Sequence, residues 1–215
     1  MVVWEAGRAI GCELLPPYEK LAFTAVPVEG AVLERISGVS YKPGFSLPAA
    51  ELRYLRIPHY PDIHGDIVLG EMICNAALAD DLLSIFRSLF EHHYPIARMQ
   101  LIDDFGGDDN ASMLANNTSC FNDRPKSWSR TEKSTHALGL AVDVNPFYNP
   151  LVRVRGGVVR VYPSESRAFA DRTQVFDYKI SKTDLCYREF VARGFRWGGS
   201  WASSQDYQHF EKLTK

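Results

Sequence analysis

Ser134-Thr135-His136-Ala137-Leu138-Gly139-Leu140-Ala141-Val142-Asp143-Val144-Asn145-Pro146 is the stretch that decides the reading of this chain. After Gly139 the residues alternate in character, which predicts a short strand. Leu140, Val142 and Val144 would face a core, while Ala141 and Asp143 share the other face. His136 and Asp143 stand seven residues apart. A small residue beside a carboxylate leaves room for an ion and a substrate. Further on, Asp206-Tyr207-Gln208-His209-Phe210 adds a second histidine with a carboxylate three residues before it. Two imidazoles and one carboxylate make a zinc ligand set with its fourth position open to water. Asp206 is then free to act as a general base. The same residues also suit a purely structural arrangement, with His136 bonding a backbone carbonyl and Asp143 capping a turn through Asn145-Pro146. Spacing by itself leaves both open.

Outward from that stretch the chain reads as α+β, a small central antiparallel sheet with flanking helices. Tyr54 to Ile57 and Ile67 to Ile73 are expected as strands joined around His64-Gly65. Asn75 suits the cap of a helix carrying Leu78, Leu82, Ile85, Phe86, Leu89 and Phe90, a helical stripe that ends before Pro95. Met99 to Ile102 is expected as a strand, and Asp103 to Asn110 as a solvated acidic loop lacking the EF-hand ligand pattern. Leu151 to Tyr162 alternates Val with Arg about Gly156-Gly157, which predicts a hairpin with one exposed cationic face. A second main helix is expected from about Thr183 to Arg193, stopped by Gly194. Residues 1–48, rich in Pro and Gly, read as an extension wrapped on the domain or a partly ordered lead-in, and 49–215 as the zinc domain.

Composition narrows the function classes. The chain has 215 residues, 24 Lys+Arg against 26 Asp+Glu, and 46% apolar residues, ordinary for a globular protein. Near-neutral charge offers no general attraction for nucleic acid or anionic lipid. No stretch approaches the ~20 apolar residues that span a bilayer. Glu5, Arg8 and Glu13 interrupt any signal-peptide core, and Ala9-Ile10-Gly11-Cys12 resembles a lipoprotein cleavage site without the apolar run before it. No export signal is therefore expected in the sequence as given. Cys12, Cys74, Cys120 and Cys186 are scattered, so free thiols are expected. His59, His64, His92 and His93 lack a partner at metal-binding spacing; the last two suit a helix C-terminus.

The wider pattern resembles the zinc-dependent D-alanyl-D-alanine carboxypeptidase family. It is carried by Ser112-Met113, Asn116-Asn117-Thr118-Ser119-Cys120-Phe121-Asn122-Asp123-Arg124, Ser134-x-His136-x-x-Gly139-x-Ala141-x-Asp143-x-Asn145-Pro146 and Asn149-Pro150. Trp197-Gly198-Gly199-x-Trp201 and Asp206-x-x-His209-Phe210-Glu211 complete it, so that the likeness runs over about three quarters of the chain. It is nearest the VanY-like and L-alanyl-D-glutamate endopeptidase branch, with a Hedgehog-type zinc-binding domain as the fold. The resemblance implies one zinc held by His136, Asp143 and His209. It implies Asp206 as general base where several relatives use Glu, and Arg124 as the group steadying the scissile carbonyl oxygen. Ser134 falls where relatives have a serine near the substrate. Trp201, with Trp197 and Phe210, is expected either to line a cleft or to pack in the core. The activity implied is hydrolysis of an amide bond in a peptidoglycan stem peptide by a monomer of the cell envelope. A zinc domain that binds wall peptide or a protein without catalysis is the alternative; it would have been free to lose Asp206 and Arg124.

Overall fold

In a β-hairpin whose two faces are both covered, strands read as near-continuous apolar runs, and this is how the centre of the molecule is built. The computed structural model describes residues 2–11, 15–43, 46–63, 65–125 and 132–213. In chain order the first elements are β1 (Ala9–Ile10), β2 (Thr24–Pro27), α1 (Gly30–Ile36), β3 (Leu52–His59), β4 (Ile67–Asn75) and α2 (Ala79–Glu91). They are followed by α3 (Asp109–Leu114), β5 (Ala141–Asp143), β6 (Leu151–Arg155), β7 (Val158–Tyr162), α4 (Leu185–Ala192), β8 (Arg196–Trp197), β9 (Ser204–Asp206) and β10 (His209–Glu211). All strand pairs are antiparallel, in three sheets ordered β1-β4-β3-β2, β5-β10-β8 and β7-β6-β9. The fold is α+β, as the sequence pattern implies.

The alternation along β3 and β4 sends side chains into two cores. Leu55, Ile57, Met72 and Cys74 join the larger one, beneath α2 and α4, with Val142, Trp197 and Phe210 of the second sheet. Leu52, Tyr54 and Ile73 point the other way, onto Val28, Ile36, Tyr41 and Phe121. In α2 the stripe Leu82, Ile85, Phe86, Leu89 is buried, and Phe86 meets Phe190 of α4 edge-to-face with ring centroids 6.1 Å apart. Asn75 accepts a hydrogen bond from Ala77 N at 3.0 Å, capping the 3-10 turn that leads into α2. Asp184 does the same for α4 through Cys186 N at 2.9 Å.

Residues 1–48 supply β1 and β2, the two edges of the first sheet, together with α1. Arg35 of α1 reaches across to Glu71 of β4 with both guanidinium arms, at 3.0 and 2.7 Å. Glu71 is fully buried and also accepts from Tyr54 Oη at 2.7 Å.

Two expectations are corrected. Met99 to Ile102 is not a strand. Gln100 exchanges its backbone hydrogen bonds with the side-chain amide of Asn117, and Met99 O accepts from Glu71 N, so the polar groups are satisfied without a ladder. The acidic loop is not simply solvated either. Asp103 accepts from Ser40, Asp104 pairs with Arg35, Asp108 caps α3, and Asp109 pairs with Arg124. The Gly156-Gly157 hairpin is present as β6 and β7. Alongside the two main helices the described residues hold the short α1 and α3, which lack a long apolar stripe. The turn at His64 and the cysteine at position 12 lie outside the described residues.

Candidate metal centre

His136 sits in a 3-10 turn, Thr135–Leu138, that Ser134 caps by accepting from His136 N at 3.3 Å. Gly139 closes the turn with φ +64°, and a Cβ there would lie 2.5 Å from Asn75 N, so both backbone conformation and close approach require glycine. The turn delivers the chain into β5, and β5 pairs with β10 so that Asp143 lies directly opposite His209. Directly paired residues share a face. Val142 and Phe210, on the opposite face, go to the core, which leaves Asp143 and His209 on the side His136 overlooks.

Three side chains converge there. His136 Nε2 is 3.3 Å from Asp143 Oδ2 and 3.3 Å from His209 Nδ1, and His209 Nδ1 is 3.0 Å from Asp143 Oδ1. Zinc bonds of about 2.0–2.1 Å in a tetrahedron place neighbouring donors roughly 3.3 Å apart. The donor set and its spacing therefore fit a zinc ion, and the His136–Asp143–His209 group is the one such metal-competent cluster among the described residues. The structural role considered for His136 is also present: its Nδ1 donates to Cys120 O at 2.6 Å, which fixes the ring and leaves Nε2 for the cluster.

On its far side His209 presents Nε2 to Glu211 Oε2 at 3.6 Å, ion-pair range, and Arg196 bonds Glu211 Oε1 at 2.6 Å. Although burial opposes a charge on His209, Asp143 and Glu211 raise its pKa to about 10. Burial likewise opposes ionisation of Asp143, but the two imidazoles hold it well below the usual carboxylate range. Glu211 is lowered to about 2, by His209 first, against burial, and then by Arg196. Glu211 carries no role in the sequence reading. The signal for it was the period of two, since His209 and Glu211 stand on one face of one strand.

Asp206 ends β9, and burial pushes its pKa up to about 6, with Asp143 adding to the shift and His209 and His136 opposing it. Its Oδ1 is sealed from solvent and has no hydrogen-bond partner. Gly198 lies beneath it: a Cβ at that position would be 2.9 Å from Asp206 Cβ and 3.3 Å from His209 Cβ.

The remaining expected residues spread more widely. Arg124 holds Asp109 at 2.6 Å, while its backbone carbonyl accepts from Ser134 N at 3.1 Å, beside the His136 turn. Trp197 and Phe210 are core, whereas Trp201 is half-buried with its ring 5.4 Å from that of His209. Histidines 59, 92 and 93 are not in the cluster; His59 is buried and the other two are exposed at the end of α2. Cys74, Cys120 and Cys186 are buried free thiols.

These features define a class: an α+β domain in which a short sheet and the turn beside it present a buried His–Asp–His cluster able to hold a metal ion. Residues 128–212 match the family described as D-alanyl-D-alanine carboxypeptidase, so the resemblance read from the sequence holds over about two fifths of the chain. That span contains His136, Asp143, Asp206 and His209. No curated protein and no solved structure matches the chain. Among the described residues no helix is long and apolar enough to cross a membrane.

Proposed function

We propose that this protein is a zinc metallopeptidase that hydrolyses an amide bond in peptidoglycan stem peptides, as an L-Ala-D-Glu endopeptidase or a D-Ala-D-Ala carboxypeptidase. The observation that carries the reading is the pairing of a three-donor set at tetrahedral spacing with a carboxylate, Asp206, whose buried Oδ1 has no partner. One zinc would be held by His136, Asp143 and His209; when bound there it supplies Lewis acidity and a water nucleophile near neutral pH. Asp206 takes the proton from the attacking water and returns it to the leaving amine. A carboxylate with a pKa near 6 is matched to that exchange, being ionised at neutral pH yet basic enough to accept.

Arg124 steadies the oxygen of the scissile carbonyl after leaving Asp109, and its planar fork suits a developing oxyanion. Trp201 walls the substrate beside His209, and Ser134 acts through the turn it caps. The protein works as a monomer at the cell envelope. The non-catalytic reading draws on one observation, the engagement of Arg124 by Asp109.

The test is mass spectrometry of defined muropeptides incubated with the purified protein, with and without a zinc chelator. A chelator-sensitive product cut after L-Ala identifies the endopeptidase, and loss of a terminal D-Ala the carboxypeptidase. Intact peptides beside a protein that holds one zinc would move the binding-domain reading ahead.

A further inference from the structure

Tyr207 stands between the candidate general base and a candidate metal ligand, one residue after Asp206 and two before His209. The turn that carries it is pinned from several sides. Tyr207 N donates to Pro150 O at 3.5 Å, Tyr207 O accepts from Trp197 Nε1 at 2.9 Å, and Gln208 O accepts from Val144 N at 3.0 Å. These bonds tie the backbone between β9 and β10 to the chain that leaves β5 after Asp143. The ring itself is held by Arg172, whose guanidinium carbon lies 4.4 Å from the Tyr207 centroid.

The surroundings of Arg172 are unusual for a cation. Its Nη1 donates to Tyr148 O at 2.9 Å and to Phe169 O at 3.2 Å, and its Nη2 donates to Asn149 Oδ1 and Ile180 O, both at 2.9 Å. A second ring, that of Phe176, lies 5.1 Å away. No carboxylate among the described residues pairs with it. Burial pushes its pKa down to about 10, against Tyr207 and Tyr94, so the charge has exchanged water for carbonyl oxygens and aromatic faces. A charge taken from water without a counter-ion costs stability that an apolar side chain would not. What the planar fork supplies in its place is direction. Asn149 passes that direction on: it is fully buried, and its Nδ2 donates to Asn145 O at 3.0 Å, two residues beyond Asp143. One guanidinium therefore touches both the turn that leaves the Asp143 strand and the ring between Asp206 and His209.

We infer that Arg172 is a positioning residue for the candidate metal centre. By clamping the Asn149 turn to the Tyr207 ring it fixes the turn between β9 and β10, and with it Asp206 and His209, against Asp143. It touches neither the ion nor the substrate. The inference rests on the reading of His136, Asp143 and His209 as zinc ligands, and not on which bond is cut.

The experiment compares the wild type with Arg172→Met, Tyr207→Leu, the double variant and Tyr207→Phe. Zinc affinity is measured by competition with a chromophoric chelator, and turnover on the defined muropeptides is followed in parallel. Affinity is read on protein shown to be fully folded, where a loss of global stability alone leaves it unchanged. Arg172→Met and Tyr207→Leu should each weaken zinc binding about tenfold, as groups that support a ligand usually do. Each should lower kcat by roughly 100-fold, the cost of displacing a reacting group by about 1 Å, with KM little altered. The double variant should be no weaker than either single one, because both changes break the same contact. Tyr207→Phe keeps the ring and should match the wild type. Wild-type zinc affinity in both single variants, or additive losses in the double one, would overturn the inference. Should Arg172→Met fail to fold, the two Tyr207 variants decide: equal affinity in Tyr207→Leu and Tyr207→Phe overturns it. Zinc weakened as expected in a protein that cuts no peptide upholds the clamp and removes the peptidase reading. Cleavage and zinc binding that are the same in every variant leave the peptidase and remove the clamp. A wild type that takes up no zinc overturns both.

Discussion

Asp143 and His209 are directly paired residues of β5 and β10, and Asp143 Oδ1 lies 3.0 Å from His209 Nδ1 although 66 residues separate them in sequence. Register is therefore what assembles the site. Sliding β10 by one residue along β5 would turn His209 into the core and bring Phe210 out, parting His209 from Asp143. The burial of Phe210 against Phe190, stacked with centroids 4.3 Å apart, opposes that slip and so holds the candidate ligands together. Two positions along, Ala141 opposes Glu211 and leaves it clear to reach the far side of His209.

Glu211 should accordingly tune metal affinity without touching the ion. A carboxylate on the second nitrogen of a ligating histidine fixes the ring and raises its basicity, and losing such a partner lowers affinity by about 10–100-fold. Glu211→Gln is expected to weaken zinc binding by about tenfold in a competition titration with a chromophoric chelator. Unaltered affinity would confine Glu211 to its ion pair with Arg196.

Asp206→Asn separates metal binding from proton transfer. The variant should hold zinc as the wild type does, yet lose turnover by roughly 10²–10⁴-fold, the usual contribution of a positioned acid–base group. In the wild type, turnover should fall as pH drops through about 6, where Asp206 takes up a proton and ceases to be a base. Full activity in the variant sinks the general-base role.

Arg35→Met tests what the N-terminal segment contributes. Removing it leaves the buried carboxylate of Glu71 with Tyr54 but without its counter-charge, a loss on the order of 3 kcal/mol. Adding Glu71→Gln should recover part of that, because the buried charge is then gone. Chemical denaturation of the four proteins of this cycle measures the coupling; additive effects would mean that the contact between α1 and β4 matters little.

The sequence showed the candidate metal cluster more clearly than the fold around it, and the reasons are physical. His136, Asp143 and His209 stand out because few residue types ligate zinc and the Gly139 turn and alternating strand announce their orientation. The α2 stripe and the Gly156-Gly157 hairpin were equally plain, being periodic. What stayed hidden depends on partners distant in sequence. Residues 1–48 are weakly periodic, and nothing local says that β1 and β2 complete the first sheet, or that Arg35 meets Glu71. Met99 to Ile102 has strand composition but satisfies its backbone through Asn117. Arg124 was legible as a cation near the site, not as the partner of Asp109.

His59 gives a pH dependence of stability independent of the metal. Burial lowers its pKa from 6.5 to about 4, and neither ring nitrogen has a side-chain partner. Between those values the unfolded chain takes up a proton that the folded protein resists, so stability is fully present above about pH 6.5. It declines as pH falls toward 4, by roughly 3 kcal/mol. Below 4 both states are protonated and this contribution stops changing. His59→Leu should flatten the curve between pH 4 and 6.5 in urea titrations; an identical slope in both proteins would place the acid sensitivity elsewhere.

Gly198→Ala tests the link between Asp206 and His209, because one missing Cβ makes room for both. The added methyl would lie 2.7 Å from Asp206 O, 2.9 Å from Asp206 Cβ and 3.3 Å from His209 Cβ. The first of these is backbone and does not swing aside as a long side chain would, so β9 and the turn into β10 must shift. Overpacking of this kind destabilises by about 1–3 kcal/mol. The functional consequence should exceed the stability loss, since displacing reacting groups by about 1 Å lowers rates by roughly 100-fold. Zinc affinity should fall as well, because His209 moves with the strand. That joint loss distinguishes Gly198→Ala from Asp206→Asn, which keeps its metal. A Gly198→Ala protein with unchanged zinc affinity and turnover would show that β9 yields without moving either group, and Gly198 would then matter only for packing.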